Sequence, residues 1–232
     1  MDKKTAYQYL NKNKMLNIDM IDGLNSGEAE VIYAADNGVL LYNTSGSSYL
    51  ISADSEIERI LACVDKNARI FMAHQDFYIP LLKRQFGLDT EMRCYAAVYT
   101  KPVAPEFKTD YEIRQLTIDY LDTVLNTYSY ISNKDYIKRR IQDKYMYGAF
   151  LGNELLGYIG THDEGAMGML EVMPSHRRKG IGYALEAYLI NVLLTKGRAP
   201  YAHIVEDNQV SLALQKKLGM YILDEKISWV FK

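Results

Sequence analysis

The sequence predicts a mixed α/β fold, with strands and helices alternating along the carboxy-terminal half of the chain. Two observations carry this prediction: strand-like and helix-like apolar patterns alternate from about residue 110 to the end, and 48% of the 232 residues are hydrophobic. A third observation is a basic loop with two closely spaced glycines between an apolar strand and an amphipathic helix. This composition predicts a soluble globular protein with a sizeable packed core.

The carboxy-terminal half divides into ten segments in the order β-α-α-β-β-β-α-β-α-β. Alternation of apolar and polar residues predicts the strands, and apolar residues three or four positions apart predict the helices. The last segment is predicted to form one or two strands. Lys196-Gly197 marks the end of the long helix that starts at Ile181. The other segments are 111–116, 118–128, 134–144, 147–151, 155–161, 168–173, 200–205, 209–218 and 220–231.

The first hundred residues also predict α/β structure, but without a phosphate-binding loop. Strands are expected at 31–34, 39–42, 49–51, 70–73 and 94–99, and helices at 4–16, 56–65 and 79–86. Pro102 and Pro105 favour an extended connector, which places a domain boundary between residues 1–104 and 105–232. The role of the amino-terminal domain is open. Its mixed α/β order is compatible with a degenerate copy of the carboxy-terminal fold, although no repeat of individual residues supports this.

The loop that follows the strand ending near Val172 has the properties of a diphosphate-binding site. Free N–H groups at the start of a helix carry the positive end of the helix dipole and bind anions. The glycines remove side chains that would keep a phosphate away, and the basic residues add charge. These residues are Arg177, Arg178, Lys179, Gly180 and Gly182. The spacing fits neither the dinucleotide fingerprint nor the nucleoside triphosphate loop.

This loop resembles the acyl-coenzyme A loop of the GNAT N-acyltransferases, whose pattern Arg/Gln-x-x-Gly-x-Gly/Ala is matched by Arg177, Gly180 and Gly182. The element order from residue 110 matches the GNAT fold as well. The resemblance implies acetyl-CoA, or another acyl-CoA, as cosubstrate and no metal. It implies these cofactor-binding residues: Val172 through its backbone, Arg177, Arg178, Lys179, Gly180, Ile181, Gly182 and Asn208. For Asn208 a plain helix cap is the alternative, and both roles are compatible.

Two residues are candidates for the general base. The segment 201–208 is similar to the glycine N-acyltransferase-like branch of the superfamily, which makes His203 one candidate. Other members place a carboxylate on one of the two splayed strands, which makes Glu171 the rival. Glu164 and a chain of water molecules stay open as alternatives. This sequence departs from the family pattern at two positions. Gln215 stands where many members have a tyrosine that protonates the leaving thiolate, and Ala166 stands where some have a catalytic glutamate.

The resemblance implies an N-acyltransferase that moves an acetyl or other small acyl group to a primary amine of a small molecule or amino acid by direct attack. A non-catalytic acyl-CoA sensor or scaffold is the alternative. The net charge of −2 gives no reason to expect nucleic acid or a membrane as partner, and a homodimer stays open. The two cysteines and the absence of an apolar leader predict a cytoplasmic protein, in which Cys63 is a core residue.

The acceptor site is expected near the first two helices of the carboxy-terminal half and the hairpin after them. This stretch is rich in tyrosines, which either line a pocket or only pack: Tyr128, Tyr130, Tyr136, Tyr145 and Tyr147. The acceptor itself does not follow from these residues.

Overall fold

Two β-sheets, one of seven strands and one of four, organise the chain in the computed structural model, which describes residues 2–129 and 133–232. The elements of the first half are α1 Lys3–Leu10, α2 Ile18–Ser26, β1 Ala29–Ala35, β2 Gly38–Asn43, β3 Ser48–Ala53, α3 Ile57–Leu61, β4 Ile70–Ala73, α4 Ile79–Phe86 and β5 Thr90–Val98. Those of the second half are β6 Glu112–Gln115, α5 Leu121–Thr127, α6 Lys134–Gln142, β7 Met146–Leu151, β8 Glu154–Thr161, β9 Met167–Val172, α7 Ile181–Thr195, β10 Tyr201–Val205, α8 Gln209–Leu218 and β11 Tyr221–Phe231.

The second half has the predicted order β-α-α-β-β-β-α-β-α-β, and its last segment is a single strand. The mixed α/β fold class is therefore confirmed. Strands β6 to β9 form an antiparallel sheet, and α7 packs across β7, β8 and β9 through an almost wholly apolar surface. This burial of apolar area is what holds the long helix against the sheet.

From its first helix onward, the first half repeats the element order of the second half. The series α-α-β-β-β-α-β-α-β runs from α1 to β5 and again from α5 to β11. This repeat favours the interpretation of the first half as a degenerate copy of the same fold. The predicted boundary between residues 104 and 105 lies in the connector between β5 and β6.

The last strands of the two halves are exchanged. Strand β5 of the first half lies between β10 and β11, and β11 of the second half lies between β4 and β5. His203 on β10 is thus paired with Ala96 on β5, and Trp229 on β11 is paired with both Met72 and Met92. Each half therefore depends on a strand from the other half to complete its part of the sheet.

The two halves differ at one pair of strands. In the first half β3 and β4 are joined by a parallel ladder that pairs Leu50 with Met72. In the second half, the corresponding strands β9 and β10 are the edges of different sheets. The turn after β3 carries Asp54 and Glu56, whereas the turn after β9 carries the basic triplet 177–179. Only the second half therefore combines an open strand pair with a cationic loop.

Some local predictions for the first half are wrong. The helix expected over 4–16 ends at Leu10, because the asparagine-rich stretch Asn11–Asn13 continues only as a 3-10 turn. Helix α2 was not predicted, since its buried face includes Asp19 and Asp22 and so breaks the apolar pattern. Cys63 lies exposed beyond the end of α3 and is not a core residue. No helix in the described part of the chain is long and apolar enough to cross a bilayer.

Candidate functional site

A gap between β9 and β10 forms the centre of the candidate site. The two strands lie side by side, yet within the described residues no backbone ladder joins them. The Met173 amide donates to the Leu156 carbonyl of β8, so the backbone of the preceding residue, Val172, faces the gap instead. The ladder between β8 and β9 also shifts register beside Met169, which has a φ of 50°. Such bulges with strained backbone are common next to binding sites.

The loop between β9 and α7 presents several backbone amides without a protein partner. A short 3-10 turn, Pro174–His176, is followed by Arg178 with φ 63° and Gly180 with φ 82°, and α7 begins at Ile181. Among the described residues, the amides of residues 178–183 donate no hydrogen bond, and Gly180 provides no side-chain cap. These amides thus retain the anion-binding capacity of a helix start.

The space beside this loop is open. A methyl group at Gly180 would meet no atom within 4 Å. A groove of about 590 Å³ runs along Lys179, Gly180 and Tyr183, with the connector residues 107–111 on its other side. The loop therefore borders a groove large enough for a ligand.

The three cations of the loop are not equivalent. Arg177 turns back toward β9, where Nε donates to the Val172 carbonyl at 3.0 Å and Nη2 to Glu171 Oε1 at 2.9 Å. Arg178 and Lys179 are exposed and form no ion pair within the described residues. Arg178 and Lys179 are consequently the cations available to a phosphate, whereas Arg177 stabilises the loop against the end of β9.

Asn208 caps α8, as one of its two predicted roles requires. Its Oδ1 accepts a hydrogen bond from the Ser211 amide at 3.0 Å. The side-chain NH2 group has no partner among the residues described, so it is free to donate to a ligand in the gap.

The two candidate bases lie on opposite sides of the gap. Glu171 on β9 is half-buried and ion-paired with Arg177. On β10, His203 is almost fully enclosed, with 5% of its side chain exposed, and its Nδ1 has no hydrogen-bond partner among the described residues. Burial lowers the pKa of His203 to about 4, so this imidazole is neutral at pH 7.

The carboxyl group of Glu164 lies close to the free nitrogen of His203. Its Oε1 lies 3.8 Å from His203 Nδ1, and its backbone carbonyl accepts a hydrogen bond from the Tyr201 hydroxyl. Burial raises the pKa of Glu164 to about 8, so at pH 7 it carries a proton. The structure thus brings Glu164 and His203 together as two neutral groups.

A second buried pair, close enough to His203 to interact with it electrostatically, was not predicted. The imidazole of His74 lies 2.9 Å from the Asp19 carboxylate, and both side chains are fully enclosed. The Asp19 charge outweighs the effect of burial and raises the pKa of His74, while the positive charge of His74 lowers the pKa of Asp19. Asp19 and His74 are 55 positions apart in the sequence, so no local spacing predicts their contact.

At Gln215, where the GNAT pattern favours a tyrosine, the structure has a buried polar contact between α7 and α8. Gln215 Nε2 donates to Glu186 Oε1 at 2.8 Å. Ala166, at the other departure, is buried in the core. Glu186 was not predicted, although it stands out as the sole charged residue between Ile181 and Thr195.

The tyrosines of the expected acceptor region have different surroundings. The Tyr136 hydroxyl lies 3.0 Å from His162 Nδ1, while Tyr145 and Tyr147 border a cavity of about 300 Å³ near the carboxy-terminal end of α7. Tyr130 lies outside the described residues. In residues 2–129 and 133–232, no group of three or more His, Cys, Asp or Glu side chains is arranged to hold a metal ion.

Comparison with known proteins shows the fold. The family model described as FR47-like protein matches residues 146–230, from β7 to β11. A sequence search of curated proteins finds no match. A Drosophila protein of solved structure is similar with a TM-score of 0.67 and 18% identity, over 84% of this chain and 73% of that one.

Two bacterial structures are similar over nearly the whole chain. A GCN5-related N-acetyltransferase-like protein from Streptococcus suis has a TM-score of 0.56 and 14% identity, over 98% of this chain and 100% of its own. An acetyltransferase of the GNAT family from Colwellia psychrerythraea has a TM-score of 0.53 and 13% identity, over 97% of each chain. The protein has the GNAT N-acetyltransferase fold, and its strand gap and basic loop lie within the segment that the family model matches.

Proposed function

We propose that this protein is an acyl-CoA-dependent N-acyltransferase, most simply an acetyltransferase, acting on a primary amine of a small molecule or amino acid. The observation that carries the proposal is the row of unpartnered amides at residues 178–183, next to a strand gap with free backbone groups. The fold supports the same reaction class. In this proposal, acetyl-CoA or a related thioester is a cosubstrate and no metal takes part.

The free amides of the loop, with Arg178 and Lys179, bind the diphosphate of the cosubstrate. The thioester arm lies in the gap, where the Val172 N–H group and the Asn208 side-chain amide are available to hold it. Fixing the thioester beside the amine accounts for much of the rate increase, since the two reactants then meet in one orientation. Neither β9 nor β10 contains a cysteine or a serine, so the amine attacks the thioester carbonyl directly.

The attacking nitrogen must lose a proton, and His203 and Glu171 are the proposed acceptors. His203 is neutral at pH 7 and has an unoccupied nitrogen, but its low pKa makes it a weak base. Glu171 is more accessible and is held in place by Arg177. A His203→Gln variant and a Glu171→Gln variant distinguish the two. Loss of the true base removes the rise of kcat/KM with increasing pH that deprotonation of this base causes.

The second candidate function is a non-catalytic acyl-CoA sensor or scaffold. It is favoured by Gln215, because this residue replaces the tyrosine that acts as general acid in many GNAT enzymes. The deciding experiment incubates the protein with acetyl-CoA and a panel of primary amines and amino acids, and follows the release of free thiol. An enzyme releases thiol and acetylates one of the amines, whereas a sensor binds acetyl-CoA without releasing thiol. The Gly180→Glu variant is the control for thiol release that does not depend on the loop.

Several finer features of the proposal rest on the sequence alone. They are the similarity to the glycine N-acyltransferases, a cytoplasmic location, and the lack of nucleic-acid or membrane partners, while a homodimer stays open. These remain predictions.

A further inference from the structure

The contact between Glu186 on α7 and Gln215 on α8 is a buried polar pair with spare hydrogen-bonding capacity. The two side chains belong to residues that are 4% and 2% exposed. One hydrogen bond of 2.8 Å joins them, while Glu186 Oε2 and Gln215 Oε1 have no partner among the described residues. Unpartnered buried oxygens cost free energy, so their presence in an apolar helix interface requires an explanation.

The pair lies one helical turn beyond a glycine that packs against the strand bordering the gap. A methyl group placed on Gly182 would lie 3.7 Å from the side chains of Leu214 and Val172, and 3.8 Å from Leu170. Gly182 therefore lies where the first turn of α7 meets α8 and β9. Glu186 is one helical turn further along the same face of α7, and Gln215 follows Leu214 on α8. The pair thus lies between the two helices, one turn beyond the point where both approach β9.

The surroundings of Glu186 favour its protonated form. Burial raises its pKa to about 7, the hydrogen bond from Gln215 opposes the rise, and no charged group in the described part of the chain contributes. The residues on either side of it in sequence, Leu185 and Ala187, belong to the apolar core that joins α7 to the sheets. On α8, Lys217 lies over the ring of Tyr183. A carboxylic acid in this setting can supply a proton near neutral pH.

We propose that Glu186, oriented by Gln215, donates a proton to the thiolate that leaves during acyl transfer. This inference rests on the proposed function. As the tetrahedral intermediate collapses, the carbon–sulfur bond breaks and its electron pair passes to sulfur. The Glu186 carboxyl proton then moves to the sulfur, giving free thiol and a carboxylate. The proton that the amine gives up returns to the solvent, and the carboxylate is protonated again before the next turnover.

The test uses coenzyme A itself, so it does not require the acceptor to be known. Thiolate absorbance near 240 nm is titrated for the complex with coenzyme A, and the titration of the complex with desulfo-coenzyme A is subtracted to remove the tyrosines. Above pH 7 the Glu186 carboxylate opposes the formation of a second negative charge beside it. The bound thiol should therefore ionise at a pH about one unit or more higher in the wild type than in Glu186→Gln.

Equal thiol titrations, within about 0.2 pH units, in wild type and Glu186→Gln would overturn the inference and leave the pair as a helix-to-helix contact only. Glu58→Gln, which removes an exposed glutamate on α3, controls for the change in net charge and should titrate like the wild type. If Glu186→Gln fails to fold, Glu186→Met provides the same comparison. A wild-type protein that does not bind coenzyme A would refute the proposed function instead, which is a distinct result.

Discussion

The guanidinium of Arg177 joins the basic loop to Glu171 through a hydrogen bond of 2.9 Å between Nη2 and Oε1. The same side chain holds the Val172 carbonyl, so one residue links the loop to both the strand gap and the accessible carboxylate. Although Arg177 matches the GNAT pattern, the structure directs its charge away from the groove. Arg178 and Lys179 are the cations left for a phosphate.

This arrangement predicts different effects for two neighbouring arginines. Arg178→Gln should raise the Kd for coenzyme A by about three- to tenfold, since it removes a charge-assisted contact to phosphate at an exposed site. Arg177→Gln should change this Kd less, because its partners are protein atoms. Calorimetric titration of both variants with coenzyme A measures the difference, and a larger loss for Arg177→Gln would contradict the assignment.

The buried acid Glu186 predicts a pH-dependent cost in stability. Its pKa is about 7 in the folded protein and near the ordinary value of 4.5 when unfolded. Between these values the folded state binds more protons, so the free energy of unfolding falls as the pH rises through this range. Glu186→Gln abolishes that fall. Its stability relative to wild type should therefore increase from pH 4.5 to pH 8 by on the order of 3 kcal/mol.

Urea denaturation at the two pH values measures this change. Glu58→Gln is the control, since that carboxylate is exposed. A stability difference between Glu186→Gln and wild type that is the same at both pH values would show that Glu186 is not held neutral by burial.

The contact between the two halves predicts a large effect at Arg198. This residue donates to Asp22 and Glu28 at 2.6 and 2.7 Å, and Asp22 is only 3% exposed. Arg198→Ala leaves a buried carboxylate without its cation and should destabilise the fold by about 3 kcal/mol. Arg59→Ala, which removes an exposed pair with Glu56, should cost less than about 1 kcal/mol. Similar losses for both variants, measured by urea denaturation, would contradict this ranking.

The order of elements in the second half and the position of the loop could be predicted because both depend on local patterns. Apolar spacing marks the segments, and the glycines and basic residues at 177–182 are contiguous in sequence. The exchange of β5 and β11 could not be predicted, since it depends on pairing between strands more than 100 residues apart, such as the pairing of His203 with Ala96. Nothing in the spacing of either strand favours a partner from the other half.

The chemistry of the site was only partly visible for the same reason. His203 was identified as a candidate, but its burial beside Glu164 follows from folding β10 against the turn between β8 and β9. The Asp19–His74 pair likewise joins α2 to the end of β4. Such contacts change pKa values strongly, yet they appear only once the sheets have assembled.

The central claim, that the free amides of the loop bind the diphosphate of coenzyme A, is tested most directly by calorimetric titration of wild type, Gly180→Glu and Gly197→Glu with coenzyme A. Both glycines have positive φ, 82° and 68°, and both have open space where a side chain would go, so the two variants have similar backbone strain and the same added charge. They lie at opposite ends of α7. We predict that wild type and Gly197→Glu bind with similar affinity and that Gly180→Glu does not bind. Binding that survives Gly180→Glu unchanged, or no binding by the wild type, would contradict the account.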